Sequence, residues 1–290
     1  MSQLMLQLRL YNQLNKRLSN IAEVQQNESM KNHTTLKVGG KVDFFITPNS
    51  ISDIKEIMSV CESLGLVTYI IGNGSNLIVG DKGIRGTVIH IGKTCNKIEV
   101  NGSTVTAEAG VYIPTLVNTC VKNRLKGIEI ITGIPGNLGG TIYMNGGYTR
   151  PISNIIKSVT VLRGFGIIKL NRSEILFSHR TSSFQFNDDI ILSAELELEY
   201  GNCKNIVRQY IVDRQSKQPL HHPSCGSVFK QPGKQVYKLK GISVGDATYS
   251  KGFILNMGNA TSRDVVSVID RVEQRAKRKL NLEAELIGDF

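Results

Sequence analysis

Tryptophan is absent from these 290 residues, and aromatic side chains make up only 6% of them. Flat platforms on which unpaired bases stack are therefore scarce. Nucleic acid is not the expected partner, although Lys and Arg outnumber Asp and Glu by 35 to 24 and the formal net charge is +11. The densest basic run, Arg275 to Lys279, closes a predicted helix, where cations suit the dipole. The remaining positive excess suits a small anionic ligand such as a nucleotide or a diphosphate. The five cysteines (Cys61, Cys95, Cys120, Cys203, Cys225) include no C-x-x-C pair, which speaks against a disulfide framework and a cysteine metal site. Cys61 and Cys120 fall on apolar helical faces and read as core. His221 and His222 point apart in extended chain and have no second ligand pair, so no metal is expected. No apolar run approaches the roughly 18 residues of a membrane helix, so no membrane insertion is expected. The first 21 residues alternate Leu with Gln, Arg, Asn and Lys, unlike a signal peptide. Leu4, Leu8, Tyr11, Leu14 and Leu18 fit one helical face instead, and a cytoplasmic protein is expected. Neither a G-x-G-x-x-G dinucleotide fingerprint nor a P-loop is present.

Glycine, by contrast, is concentrated. From Gly127 to Tyr148 (GIEIITGIPGNLGGTIYMNGGY) seven of 22 residues are glycine, too many for an ordinary helix or strand, where each costs about 0.5–1 kcal/mol relative to Ala. Such a density favours positive φ and close approach of the backbone to a ligand, and Pro135 stiffens the turn. A second stretch, Gly72-Asn73-Gly74-Ser75-Asn76, follows the predicted strand Val67 to Ile71. Successive backbone N–H groups at such a tip form a nest suited to phosphate, with Ser75 and Asn76 adding donors.

Between these landmarks the chain reads as α+β. Helices are predicted from Ser50 to Leu64 (Ile54, Ile57, Met58, Cys61 and Leu64 inward) and from Ile113 to Leu125. Strands are predicted over Val42–Ile46, Ile78–Val79, Thr87–Ile91, Lys97–Val100, Thr104–Ala109, Ser158–Leu162 and Ile167–Leu170. Asp189 to Tyr200 alternates, with Ala194, Leu196, Leu198 and Tyr200 on one side and Glu195, Glu197 and Glu199 on the other. The sequence places an N-terminal helix over 1–28, a first domain over 29–200 and a second over 201–290. That second domain opens on a helix from Cys203 to Ser216 and closes on a helix capped by Thr261 and Asp264 and a strand from Leu282 to Ile287.

Three motifs stand in fixed order: Gly-x-Gly-Ser-Asn-Leu at 72–77, Gly-Ile-Pro-Gly-x-x-Gly-Gly at 133–140, and Cys-Gly-Ser-Val-Phe-Lys-x-Pro at 225–232. With Asn32-His33-Thr34-Thr35 and the Arg-x-Ser of 180–182, they resemble the UDP-N-acetylenolpyruvoylglucosamine reductase family, flavoenzymes of bacterial cell-wall synthesis. The resemblance runs from Asn32 to Gly288, and it is to the shorter of the family's two forms. It implies a two-lobed FAD-binding domain of the vanillyl-alcohol-oxidase type, followed by a smaller α+β substrate domain. FAD would be held by Gly72, Asn73, Gly74, Ser75 and Asn76 at the pyrophosphate, and by Gly133, Ile134, Pro135, Gly136, Gly139 and Gly140 at the flavin. NADPH would reduce the flavin, which would pass hydride to C3 of an enolpyruvyl ether, with a proton going to C2. Adding hydride to a conjugated carboxylate builds negative charge, so such a site needs cations and a proton source. The matching positions imply Ser227 as proton donor, polarised by Lys230 or Arg214. Arg180 would hold the developing enolate or the substrate carboxylate, with Tyr148, Arg214, Lys217 and Gln231 at the UDP-sugar substrate.

The family's catalytic glutamate falls on Glu283 when the Ile-Gly pair is the anchor and on Glu285 when Leu-Glu-x-Glu is; Glu283 is preferred. The two are i, i+2 on the predicted strand and would share a face. Departures from the family pattern collect in the second domain. His179 stands where Tyr is usual, the segment 233–251 is short and lacks part of a helix, and Thr248 replaces a glutamine. Two alternatives follow: a flavoprotein of the same fold with another substrate, or a catalytically impaired relative that binds FAD.

Overall fold

The computed structural model describes residues 3–290, with side chains from residue 5 on. Leu4 of the predicted N-terminal face thus lies outside the described side chains. The chain divides into two compact units that are interleaved in sequence. One comprises residues up to Val24, Ile46–Gly72 and Val88–Arg214; the other comprises Gln25–Phe45, Asn73–Thr87 and Gln215–Phe290. This differs from the linear division above: 29–45 and 73–87 group with the C-terminal segment, and most of the helix after Cys203 groups with the first unit.

The first unit begins with α1 (Gln3–Leu18), whose predicted apolar face is buried only at its far end. Leu14 and Leu18 are fully buried, whereas Leu8 is exposed. α2 (Ile54–Ser63) buries Ile54, Ile57, Val60 and Cys61, and Ser50 Oγ bonds Asp53 Oδ2 at 2.6 Å just before it. α3 (Ile113–Lys122) opens with a proline in its first turn and buries Ile113, Leu116, Val117 and Cys120. The central sheet is antiparallel, in the order Gly166–Asn171, Ile156–Arg163, Ile190–Glu197, Thr104–Glu108, Ile98–Asn101. The alternation in Asp189–Tyr200 buries Ala194, Leu196 and Leu198 as predicted. Tyr200 is exposed, because the strand ends at Glu197 and Glu199–Tyr200 pairs separately with Leu125–Lys126.

The glycine-rich stretch departs most from expectation. Ile128–Ile131 is a turn of 3-10 helix, and Leu138–Tyr143 is a short α-helix, α4, that includes Gly139 and Gly140. Gly139 fits there because a Cβ would lie 3.0 Å from the Cβ of Ala109, whose carbonyl accepts the Gly139 N–H at 2.8 Å. Tight packing against a strand end outweighs helix propensity at this position. α5 (Lys204–Lys217) closes the unit and buries none of its residues.

In the second unit, Ser224–Ser227, Phe253–Asn256, Ala247–Ser250 and Ser243–Val244 form an antiparallel sheet in that order. The short segment 233–251 holds the one-turn α6 (Lys234–Tyr237). α7 (Ser262–Ala276) has the predicted capping box, with Asp264 N donating to Thr261 Oγ1 at 3.1 Å and Thr261 N to Asp264 Oδ2 at 2.9 Å. Its apolar face (Val265, Val268, Ile269, Val272) packs with Val228, Phe229, Tyr249 and Ile254 into one core. The last strand, Glu285–Ile287, pairs parallel with Leu77–Val79. It is shorter than predicted, and Glu283 precedes it.

Candidate active site

In the first unit Gly72, the first residue of the shorter glycine-rich stretch, meets the longer one. A Cβ on Gly72 would lie 2.5 Å from Asn137 Oδ1, so glycine is required where the strand Thr68–Ile71 ends against the loop leading to α4. Asn137 is the N-cap residue of α4 but does not cap it; its Nδ2 donates to Gly110 O at 2.6 Å. Gly133 (φ +77) lies under Arg214, whose Cδ would be 2.7 Å from a Cβ there. Gly136 is buried and its carbonyl accepts the Ile113 N–H at 3.0 Å, while Ile134 is half-buried and Pro135 exposed.

α5 contributes one face to this unit. Tyr210, Asp213, Arg214 and Lys217 recur at helical spacing, i, i+3, i+4 and i+7. The Tyr148 hydroxyl donates to Asp213 Oδ2, its ring meets Tyr210 edge-on at 5.4 Å, and the Arg214 guanidinium lies 5.3 Å from the ring centroid. Burial and the positive field of Arg180 both press the Arg214 pKa down from the usual arginine range. Among the described residues no carboxylate pairs with Arg214. Both arginines are half-buried. Lys217 is exposed at the end of the helix. Asp213 and Tyr210 were not singled out from sequence, although helical spacing from Arg214 marks Tyr210, and from Tyr210 marks Asp213.

Arg180 sits in the two-residue turn of a hairpin, Phe177–Ser178 against Thr181–Ser182, at φ +52. Its Nη2 donates to Gly147 O at 3.1 Å. His179, at the position where the family usually carries Tyr, is exposed beside it.

In the second unit, Gly74 (φ +60) packs against the backbone of His33, only 2.0 Å from where a Cβ would be, and accepts the Thr35 N–H at 3.2 Å. Thr35 Oγ1 then donates to Ser224 O at 2.7 Å, which ties the Asn32–Thr35 motif to the strand carrying Ser227. Asn73 is exposed and Ser75 half-buried. Asn76 braces the C-terminal segment, donating Nδ2 to Glu283 O at 2.9 Å and accepting the Glu285 N–H at 2.9 Å. Ser227 ends the strand Ser224–Ser227 after Gly226 (φ +79), and its hydroxyl donates to Phe229 O at 3.4 Å. Glu283 N donates to Val228 O at 2.7 Å, and its charge reaches the Cys225 thiol. Burial, with that charge, pushes Cys225 up to about 12, which favours the neutral thiol. Glu285 pairs with Leu77 instead. The two glutamates therefore do not share one strand face, and it is Glu283 that adjoins Ser227 in the backbone. Gln231 is exposed at φ +44, and Thr248 Oγ1 meets Ser243 Oγ at 3.0 Å on the surface.

An FAD binding domain model matches residues 42–170, and the C-terminal domain model of UDP-N-acetylenolpyruvoylglucosamine reductase matches 218–287. The reductase of Clostridium tetani is 41% identical over 275 residues, which covers 90% of this chain and 89% of that protein. The crystal structure of the reductase from Thermus caldophilus superposes with a TM-score of 0.79 at 28% identity, over 92% of this chain and 99% of that one. Alkyldihydroxyacetonephosphate synthase shares the fold alone, with a TM-score of 0.51 at 16% identity over 66% of this chain and 41% of its own. The fold is the α+β one expected, a two-lobed FAD-binding domain of the vanillyl-alcohol-oxidase type with a smaller C-terminal domain, and the chain belongs to the UDP-N-acetylenolpyruvoylglucosamine reductase family.

Proposed function

We propose that this chain reduces UDP-N-acetylglucosamine enolpyruvate to UDP-N-acetylmuramate with FAD as cofactor and NADPH as reductant, a cytoplasmic step of peptidoglycan precursor synthesis. The observation that carries the reading is the approach of Glu283 to the strand end holding Ser227, in the part that the reductase C-terminal domain model matches.

The residues present fit FAD. Gly140 lies in the middle of α4, where Ala is favoured by about 1 kcal/mol, yet a Cβ there would meet nothing within 4 Å. Protein packing does not require that glycine, and an open backbone suits the approach of a flavin. Asn137 Oδ1 and Thr132 Oγ1 on the same stretch are buried without a partner, polar atoms left over beside the loop. Gly72 to Asn76 would hold the pyrophosphate, and the 133–140 stretch the flavin.

When bound, FAD supplies two-electron chemistry, taking hydride from NADPH and passing it to C3 of the enolpyruvyl group. The chain's own residues do the rest. Arg180 and Arg214, with Tyr148, hold the anionic substrate and offset the charge that builds on the enolate. Ser227 gives a proton to C2, and Glu283 is the carboxylate assigned beside it. Lys217 and Gln231 contact the UDP portion.

The test is a visible spectrum of the purified protein, taken anaerobically. Flavin absorbance that bleaches with NADPH and returns only on adding UDP-N-acetylglucosamine enolpyruvate is the expected result. Flavin that bleaches and ignores this substrate would overturn the assigned acceptor. No flavin, even after reconstitution with FAD, would overturn the whole reading.

A further inference from the structure

Arg180 is held in a conformation that its own sequence does not favour. An arginine at φ +52 pays for the clash of Cβ with backbone by about 1–2 kcal/mol. Such a residue stays in place only where its surroundings over-determine it. The hairpin that bears it is two residue pairs long, too short to be stable alone.

The restraint comes from the turn that ends α4. Asn145, itself left-handed at φ +44 and 4% exposed, donates Nδ2 to Ser178 O at 2.8 Å. Its Oδ1 accepts the Ser153 N–H at 3.3 Å, which fixes the amide's orientation. Gln185 Nε2 donates to Tyr143 O at 2.8 Å and reaches Arg180 O at 3.3 Å. Ser182 Oγ donates to the same Tyr143 carbonyl at 2.7 Å. The Arg180 guanidinium itself rests on Gly147 O, two residues beyond Asn145. Both strands of the hairpin and the Arg180 guanidinium are thus tied to residues 143–147, and the Arg180 carbonyl is tied to them through Gln185.

We propose that Asn145 and Gln185 are positioning residues that set the Arg180 guanidinium from the C-terminal end of α4. The helix carrying Gly139 and Gly140 and the hairpin carrying Arg180 form one hydrogen-bonded assembly within the first unit. A small displacement of α4 is passed to the guanidinium through these side-chain hydrogen bonds, those of the two amides among them. The inference rests on the role given to Arg180 above.

Two variants of the FAD-loaded protein test it. Q185L removes the donor from a half-buried neutral side chain. N145D keeps the acceptor for Ser153 N and removes the donor to Ser178 O. Stopped-flow absorbance separates flavin reduction by NADPH from its reoxidation by UDP-N-acetylglucosamine enolpyruvate. Reoxidation is expected to slow by about tenfold or more, as small misplacements of reacting groups do. Flavin content and reduction by NADPH stay within roughly twofold of the parent, which a general loss of structure would not allow. In an R180K background the same change is expected to cost less than about twofold, because coupled residues are not additive. Where N145D does not fold, Q185L carries the test alone. A folded Q185L that reoxidises at the parental rate, slows both half-reactions alike, or adds its full cost to R180K would overturn the inference. R180K that leaves reoxidation unchanged would instead remove the role assigned to Arg180.

Discussion

The two units present their candidate acting groups in opposite ways. In the second, Ser227 ends a strand of a four-stranded sheet, and Glu283 is anchored through its own N–H to the next residue's carbonyl. Their main-chain positions rest on backbone bonds, which side-chain substitution leaves intact. In the first, Arg180 stands on a two-residue turn steadied by side-chain amides, and Arg214 stands on a helix that buries none of its residues. Deleting a side chain in the second unit should thus remove chemistry and leave geometry. In the first unit the same operation should move geometry.

The largest effect expected is at Ser227. S227A should lose about 10²–10⁴-fold in substrate-dependent turnover while flavin content and bleaching by NADPH persist, as read from the two half-reactions. Glu283 and Glu285 sharpen the contrast. E283Q should cost about tenfold or more in kcat, and E285Q less than roughly twofold, because only Glu283 adjoins the Ser227 strand end. Equal losses in the two variants would remove the assignment of Glu283.

A smaller effect is expected at Gly140, with opposite signs for fold and ligand. G140A should raise the melting temperature of the FAD-free protein by a few degrees, about 1 kcal/mol of helix propensity. It should also weaken FAD binding by about tenfold, since a methyl group would then occupy the open face. Calorimetry of the apoprotein and a flavin fluorescence titration read the two separately.

The smallest effect expected lies away from both clusters. The ammonium of Lys169, 2.6 Å away, holds the Glu195 carboxyl below its ordinary range, with further help from Ser158. A depressed carboxylate stabilises the fold above the unfolded pKa, and that contribution is lost as pH falls through the folded one. E195Q should thus cost a few tenths of a kcal/mol at neutral pH, because Lys169 is half-exposed, and nothing at pH 3. Chemical denaturation at the two pH values checks this.

Much of the fold was legible where periodicity and turn chemistry agree. The Thr261–Asp264 box, the hairpin of Thr104–Glu108 with Ile98–Asn101, and the buried side of Ile190–Glu197 were each marked by local pattern. The strand Ala22–Ser29 was not, because AEVQQNES carries too few apolar residues to alternate. The sheet around Phe253–Asn256 was missed because its strands run only two to four residues. Gly139 inside a helix depends on Ala109, a contact of long range that no local rule encodes. The site shows the same division. Motifs singled out Gly72, Gly133, Arg180 and Ser227 as candidates, whereas Tyr210 and Asp213 went unremarked although they lie i, i+3 on the helix that carries Arg214. Gln185 carries no such signal: it is an amide in an irregular turn, and its importance lies in the carbonyls that it reaches.

The interleaving of the units bears on how the protein is made. Leu77–Val79 pairs with Glu285–Ile287, and Thr35 with Ser224, across separations of about two hundred residues. During synthesis these early segments leave the ribosome long before their partners exist, and contacts of that range form slowly. Residues 218–287, though matched by a domain model of their own, lack the edge on which their last strand lies. Expressed alone, that segment should fail to fold. Supplying the missing N-terminal part as a separate chain should restore it only where the two are produced together.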